Sequence, residues 1–149
     1  MDPAVQHALR VQRALSMGNY HALFEMYLNA PNMGVYIMDH FIDRERAKAL
    51  MIMTKAYVLQ LWSLFRPFFI SPSNFADRYR TLTLAFIQNE LAFETLSETQ
   101  TYLHTHRAAV FTNPNDPDRD KVLDCKATSP LITQAYEEKY RKVLIRGAV

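Results

Sequence analysis

The sequence predicts a mainly α-helical protein: the end of a helical repeat, then a small winged helix built of helices plus a β-hairpin, then a C-terminal helix. Three observations lead there. Apolar residues recur with a helical period through the first 57 positions. Only three glycines occur in 149 residues, and none belongs to a Gly-rich phosphate loop. From residue 84 the local signals run helix, helix, β-rich piece, turn-rich loop, β-rich piece, which is the order of a winged-helix module.

The elements follow in order. Asp2 as cap and Pro3 in the first turn open a helix that Gly18 closes, with Val5, Leu9, Gln12 and Leu15 along one side. Asn19 caps the next, whose Tyr20, Leu23, Phe24, Tyr27 and Leu28 sit at i, i+3, i+4, i+7 and i+8. Ala30-Pro31 stops it, and Asn32 is placed to cap a third with the stripe Met33, Tyr36, Ile37 and Phe41. A further helical run puts Ala47, Leu50, Met51, Tyr57 and Val58 on one side. Amphipathic helices with short connections need neighbours to stack on, so residues 1–57 read as the helical-repeat part and binding is expected before chemistry.

Residues 58–70 are strongly apolar, and Ser71-Pro-Ser-Asn74 breaks them. The run holds roughly 13 residues and includes Arg66 and Pro67, whereas a membrane-spanning helix needs about 20. A buried or interfacial segment, or a piece foreign to the fold, is expected instead. Leu84, Ile87 and Leu91 form a short helix, and Ser97-Glu-Thr-Gln100 is a capping-box candidate for another ending about His106. Residues 109–112 and 122–126 read as two short strands around the turn-rich loop 113–120. From Ser129-Pro130 a last helix carries Leu131, Ala135, Tyr136, Val143 and Leu144 inward.

Composition narrows the classes. An apolar fraction of 49% with 21% charged residues is that of a folded chain long enough for a single core. The net charge of +2 is too small to argue for nucleic acid by itself. A single cysteine, Cys125, excludes an internal disulfide framework and fits a reducing compartment. Met1-Asp2-Pro3 lacks the pattern of a secretion signal, so nucleus or cytosol is expected.

The chemical constellations point away from catalysis. His104 and His106 with Asp or Cys125 suggest zinc by type, but residues two apart on a helix point about 200° from each other. The segment from Asp116 mimics a calcium loop, yet Lys121 stands at the glycine position and Ala127 at the bidentate Glu position. Cys125 reads as a small buried strand residue, not a nucleophile. No tuned acid–base pair is evident, so no catalytic residue, metal or cofactor is assigned and an enzyme is not expected. Asp43, Arg44, Glu45, Arg46 and Lys48 make a mixed-sign cluster at a helix start, with Asp43 as cap. Solvated ion pairs explain it; as a binding element, Asp43, Arg44 and Arg46 are the candidate partner contacts. Arg107, Arg119, Lys121 and Lys126 are the candidate nucleic-acid contacts, on or near the second helix and the wing. Against them, residues 113–126 hold three cations and four aspartates, a local charge of −1, which favours a protein contact.

These residues resemble a known family. Gly18-Asn-Tyr-His21, Ala30-Pro-Asn-Met33, Met38-Asp39 and Asp43-Arg-Glu-Arg46 followed by Ala49-Leu50 are similar to the SAC/GANP family of mRNA-export and transcription-coupled scaffolds, within it to the THP-like branch. Phe86-Ile-Gln-Asn-Glu-Leu-Ala-Phe93 and Leu123-Asp-Cys-Lys126 are similar to its winged-helix part. The resemblance covers about 9–57 and 84–128. It implies a PCI-type architecture and a nuclear scaffold in mRNA biogenesis or export. Its partners would be a PCI-type subunit and a small acidic companion, with RNA or DNA as part of a complex and no membrane; direct binding of RNA or DNA by the winged helix is the alternative. It also implies that residues 58–83, roughly 26 positions, have no family counterpart and form an insertion such as a retained intron would leave. Winged-helix part and tail are then 84–128 and 129–149.

Overall fold

The computed structural model describes residues 2–31, 33–64 and 82–141, with the backbone alone for 57–64. Six helices account for most of it: α1 (Pro3–Met17), α2 (Tyr20–Leu28), α3 (Gly34–Leu64), α4 (Leu84–Glu90), α5 (Leu96–Thr105) and α6 (Cys125–Tyr136). A 3-10 turn, Asp118–Asp120, precedes α6, and a π-helical turn, Glu137–Arg141, follows it. No described helix is long and apolar enough to cross a membrane.

The first two helices are bounded by their own side chains. The Asp2 carboxylate accepts from the Ala4 N–H at 2.8 Å and Pro3 opens α1. Gly18 closes α1 at φ 67°, a left-handed conformation that any Cβ would strain. Asn19 Oδ1 accepts from the Ala22 N–H at 3.1 Å and starts α2 one residue later. The expected cap of α3, Asn32, lies outside the described residues.

Burial departs from the stripes read along the first helices. In α1 the buried residues are Val11 and Ala14, while Val5 and Leu9 face outward at 48% and 56% exposure. Val11 and Ala14 sit where α1 meets α2 and α3, with Leu15 packed beside them, and Val5 and Leu9 lie outside that contact. Met33, Tyr36 and Ile37 are likewise exposed, and Met38 and Ile42 take the inner positions. Leu23, Phe24, Ala47 and Leu50 are buried as their spacing requires.

One large core joins α2, α3, α4, α5 and α6. Leu50, Leu84, Ile87, Leu91, Leu103 and Ile132 have no measurable exposure in it. A smaller cluster, Val11, Ala14, Leu23 and Met38, ties α1 to α2 and α3. α3 packs most extensively on α6, so the long helix is the spine against which the later elements assemble. Residues 58–64 continue α3 past Tyr57; most of the segment read as an insertion, residues 65–81, lies outside the described residues.

The two expected strands do not form as runs. Phe111 pairs with Leu123 and Thr83 with Val122, each as a single antiparallel bridge. Around them the Thr112 N–H donates to the Val122 carbonyl at 3.0 Å and the Leu123 N–H to the Leu82 carbonyl at 2.9 Å. Each extended piece is cut short by a helix cap. Thr83 caps α4, and Asp124 Oδ1 accepts from Lys126 N–H and Ala127 N–H to start α6. Cys125 and Lys126 are therefore in a helix, not a strand. The last helix starts a turn before Ser129-Pro130, whose proline sits inside α6 on its exposed side. Leu131 is only half-buried and Ile132 takes the core position, while Val143 and Leu144 lie outside the described residues. The capping box of α5 also lies earlier than expected. Thr95 accepts from Glu98 N–H, and the Glu98 carboxylate accepts from Glu94 N–H at 3.0 Å.

These assignments give a first prediction. Leu50→Ala should cost about 2–5 kcal/mol of unfolding free energy, as buried Leu truncations do. Leu9→Ala, on the outward face of α1, should stay within about 0.5 kcal/mol. Urea unfolding of the two variants compares them directly.

Candidate partner-binding surface

The charged cluster lies in the interior of α3, not at its start, so Asp43 is no helix cap. Its members divide by burial. The Glu45 side chain is 9% exposed and accepts from Arg44 Nε at 2.9 Å and from Lys48 Nζ at 2.9 Å and 3.2 Å. Arg44 and Lys48 thus neutralise a carboxylate that burial would otherwise penalise. Asp43 is exposed, and Arg44 is partly so.

Arg46 turns inward. Its Nε donates to the Leu91 carbonyl at 3.0 Å and one terminal nitrogen to the Ala92 carbonyl at 2.7 Å. The other terminal nitrogen lies 3.3 Å from Asp43 and 3.7 Å from Glu98. The guanidinium carbon stands 4.0 Å from the centre of the Phe93 ring. A planar, permanently charged group with donors on three sides suits this position, and a lysine ammonium does not. Of the three candidate partner contacts, Asp43 and Arg44 face solvent and Arg46 ties α3 to the α4–α5 connection. That connection passes through Ala92 at φ 54°, a strained backbone value that the hydrogen bond to the Ala92 carbonyl helps hold.

Beside Arg46 lies a polar cleft of about 450 Å3 whose lining includes Asp43, Glu98, Tyr102, His106 and Lys139. The Tyr102 hydroxyl donates to the Asp43 carbonyl at 2.7 Å. His106 Nδ1 is 2.8 Å from the Tyr102 carbonyl, which can only accept, so Nδ1 carries the proton. Nε2 then accepts from the Tyr140 hydroxyl at 3.0 Å. The π-helical turn presents Tyr140 there, with its ring stacked on His106 at 5.9 Å. Burial, and then the charge of Asp43, pushes the Tyr140 hydroxyl up to about 12. Burial also raises Tyr102 and lowers His106, the latter only partly offset by the Tyr102 carbonyl. The set is a closed relay of neutral donors and acceptors, suited to joining elements. The spacing of His104 and His106 hid it: His104 is exposed and His106 is 1% exposed, because they point to opposite sides of α5.

The four basic residues near the wing occupy different settings. Lys121 pairs with Asp118 at 2.6 Å and lies over the Phe111 ring. Arg119 is exposed on the 3-10 turn, and Lys126 is exposed in the first turn of α6. Arg107, at φ 54° just past α5, lines a groove of about 260 Å3 with Leu131, Gln134 and Glu138. Cys125 is buried, and its thiol is pushed up to about 11 by burial and then by Asp124, so it is a poor nucleophile. Among the described residues, no group of three or more His, Cys, Asp or Glu could hold a metal ion.

Two predictions follow from this geometry. Arg46→Ala leaves two buried carbonyls without donors and should cost about 2–5 kcal/mol, whereas Arg119→Ala, on the exposed 3-10 turn, should cost less than about 1 kcal/mol. Denaturant titration compares them. His106 has a folded value below its unfolded 6.5, so the unfolded chain binds more protons as pH falls. Stability should therefore decline below about pH 6.5, and His106→Gln should flatten that decline in urea midpoints measured at pH 7.5 and pH 5.5.

The SAC3/GANP family profile matches residues 1–112. A THP3 homolog of Schizosaccharomyces pombe is 38% identical over 118 residues, covering 79% of this chain and 24% of that protein. A leukocyte receptor cluster member 8 homolog of Xenopus laevis is 36% identical over 102 residues, 68% of this chain and 10% of its own. SAC3 family protein A of Arabidopsis thaliana is 33% identical over 130 residues, 86% of this chain and 12% of its own. The chain thus spans a quarter or less of the length of these relatives. No solved structure matches it significantly.

Proposed function

Because the chain belongs to the SAC3/GANP family, THP-like branch included, we propose that it is a non-catalytic scaffold element binding partner subunits in nuclear mRNA biogenesis or export. The observation that carries this reading is the division of labour in α3. Arg46 and the buried Glu45 face inward, while Asp43 and Arg44, which pair with them, keep their outer sides in solvent on the same helix. Groups mounted on a helix whose opposite face is locked into the core are pre-organised for a protein partner. The partner set is a PCI-type subunit and a small acidic companion, with RNA or DNA entering as part of the complex.

A PCI-like arrangement is the architectural side of the same proposal. α1, α2 and α3 form the end of a helical stack. α4, α5 and the bridged pieces around residues 111 and 123 stand in the order of a winged helix, with residues 113–121 as its wing. Residues 58–83 are assigned as an insertion between the two parts. Direct binding of RNA or DNA is the second reading. Arg107, Arg119 and Lys126 favour it, since none pairs with a carboxylate among the described residues, whereas Lys121 does.

Affinity capture from nuclear extract tests the first reading. The wild-type chain and a chain lacking 58–83 should both retain a PCI-type subunit, and Asp43→Asn with Arg44→Gln should weaken that capture; urea midpoints of the same variant separate a lost contact from lost stability. Binding of isolated RNA, weakening steeply with added salt, would favour the second reading instead.

A further inference from the structure

A groove between α1 and α2 carries charges that the fold does not use. Its volume is about 620 Å3. Arg10 and Arg13 line it from α1 and Glu25 from α2, and all three are exposed. Among the described residues, none of these three side chains makes an ion pair or a hydrogen bond. By contrast, Arg44, Arg46, Lys48, Lys121 and Arg141 are each held by a carboxylate. Asp2, the other carboxylate near these helices, lies about two turns before Arg10 and caps the Ala4 N–H. The apolar part of the lining is Ala14 and Met17 from α1 with Ala22 and Met26 from α2, small and pliable side chains that adapt to a ligand. The His7 Nε2 donates to the Met26 carbonyl at 3.0 Å and pins one end of the groove; the short connection Gly18-Asn19 fixes the other.

The opposite signs of the two walls decide the occupant. Two arginines against one glutamate leave the groove one positive charge in excess, and the excess lies on the α1 side. A nucleic-acid strand is negative at every phosphate and would meet Glu25 along with the arginines. A second copy of the chain would bring another groove with the same excess. A protein helix can set acids along one edge, bases along the other and apolar side chains between them. We propose that the α1–α2 groove receives an amphipathic helix of a partner protein, with Asp or Glu on the edge beside α1 and Lys or Arg on the edge beside α2. Arginine suits its side of the groove, since the guanidinium fork matches a carboxylate with two parallel hydrogen bonds. The inference rests on the scaffold reading for the existence of a partner, and adds where one element of it docks and the pattern of charge it carries.

Fluorescence anisotropy of the full chain with three labelled helical peptides of about 15 residues is the test. All carry the same Leu stripe. One has Glu on one flank and Lys on the other, the second has Glu on both flanks, and the third has Lys on both. The mixed peptide should bind roughly tenfold more tightly than the Lys peptide, and more tightly than the Glu peptide. Arg10→Glu with Arg13→Glu makes both walls acidic and should move the preference to the Lys peptide. Glu25→Lys makes both walls basic and should move it to the Glu peptide. All three positions are exposed, so unchanged urea midpoints separate altered recognition from misfolding. The same order of affinities in the wild type and both variants would overturn the proposal. So would a dimer in light scattering that Glu25→Lys dissolves, since a second copy would then fill the groove. Tighter binding of single-stranded RNA than of the mixed peptide, lost with Arg10→Glu and Arg13→Glu, would overturn it as well. Failed capture of a PCI-type subunit alongside the expected peptide preferences would count against the scaffold reading alone and support the groove assignment.

Discussion

The Arg46 guanidinium is the contact on which the rest of the molecule leans. It reaches from α3 to two carbonyls just past the end of α4, Leu91 and Ala92, and stands over the Phe93 ring just beyond them. A buried cation is costly to desolvate unless its donors are matched, and here hydrogen bonds, an aromatic face and two nearby carboxylates match them. Because those carbonyls belong to a turn with a left-handed residue, the ion sets the direction in which α5 leaves α4. α5 then brings Tyr102 to the Asp43 carbonyl, so α3 and α5 are joined by a polar seam beside the apolar one.

That seam extends to the C-terminal end of the described chain. Tyr102, His106 and Tyr140 link α5 to the π-helical turn after α6, and α6 in turn packs along α3. α3, α5 and the end of α6 therefore form a ring of contacts around one polar cleft. Among the described residues no buried side-chain nitrogen or oxygen lacks a hydrogen-bond partner. Such a network favours one arrangement of helices over its neighbours, since any shift leaves a buried donor or acceptor unpaired.

The solvent-facing helix sides are what these inward contacts leave over. Asp43 and Arg44 point outward because Glu45 and Arg46, beside them in sequence, point inward. α1 is held to α2 by Val11 and Ala14, and its Val5 and Leu9 remain exposed. Family membership and the surface agree in kind. The matched segment makes up a quarter or less of each of these longer relatives.

Much of the frame was legible along the chain, and it was the part ruled by local physics. Asp2, Gly18 and Asn19 act within one helical turn of themselves, so their roles follow from residue type alone. The cores of α2 and α4 follow from period, as Leu23, Phe24, Leu84 and Ile87 show. The family resemblance was legible for the same reason, since short motifs survive as strings. Tertiary structure decided the rest. Whether Leu9 or Val11 is buried depends on how closely α2 approaches, and periodicity alone cannot supply that. Residues 122–126 have the composition of a strand, but Asp124 finds two free N–H groups and a helix begins on α3. Arg44 and Arg46 look alike in the sequence; only the position of the Leu91 and Ala92 carbonyls makes one a surface charge and the other a structural ion.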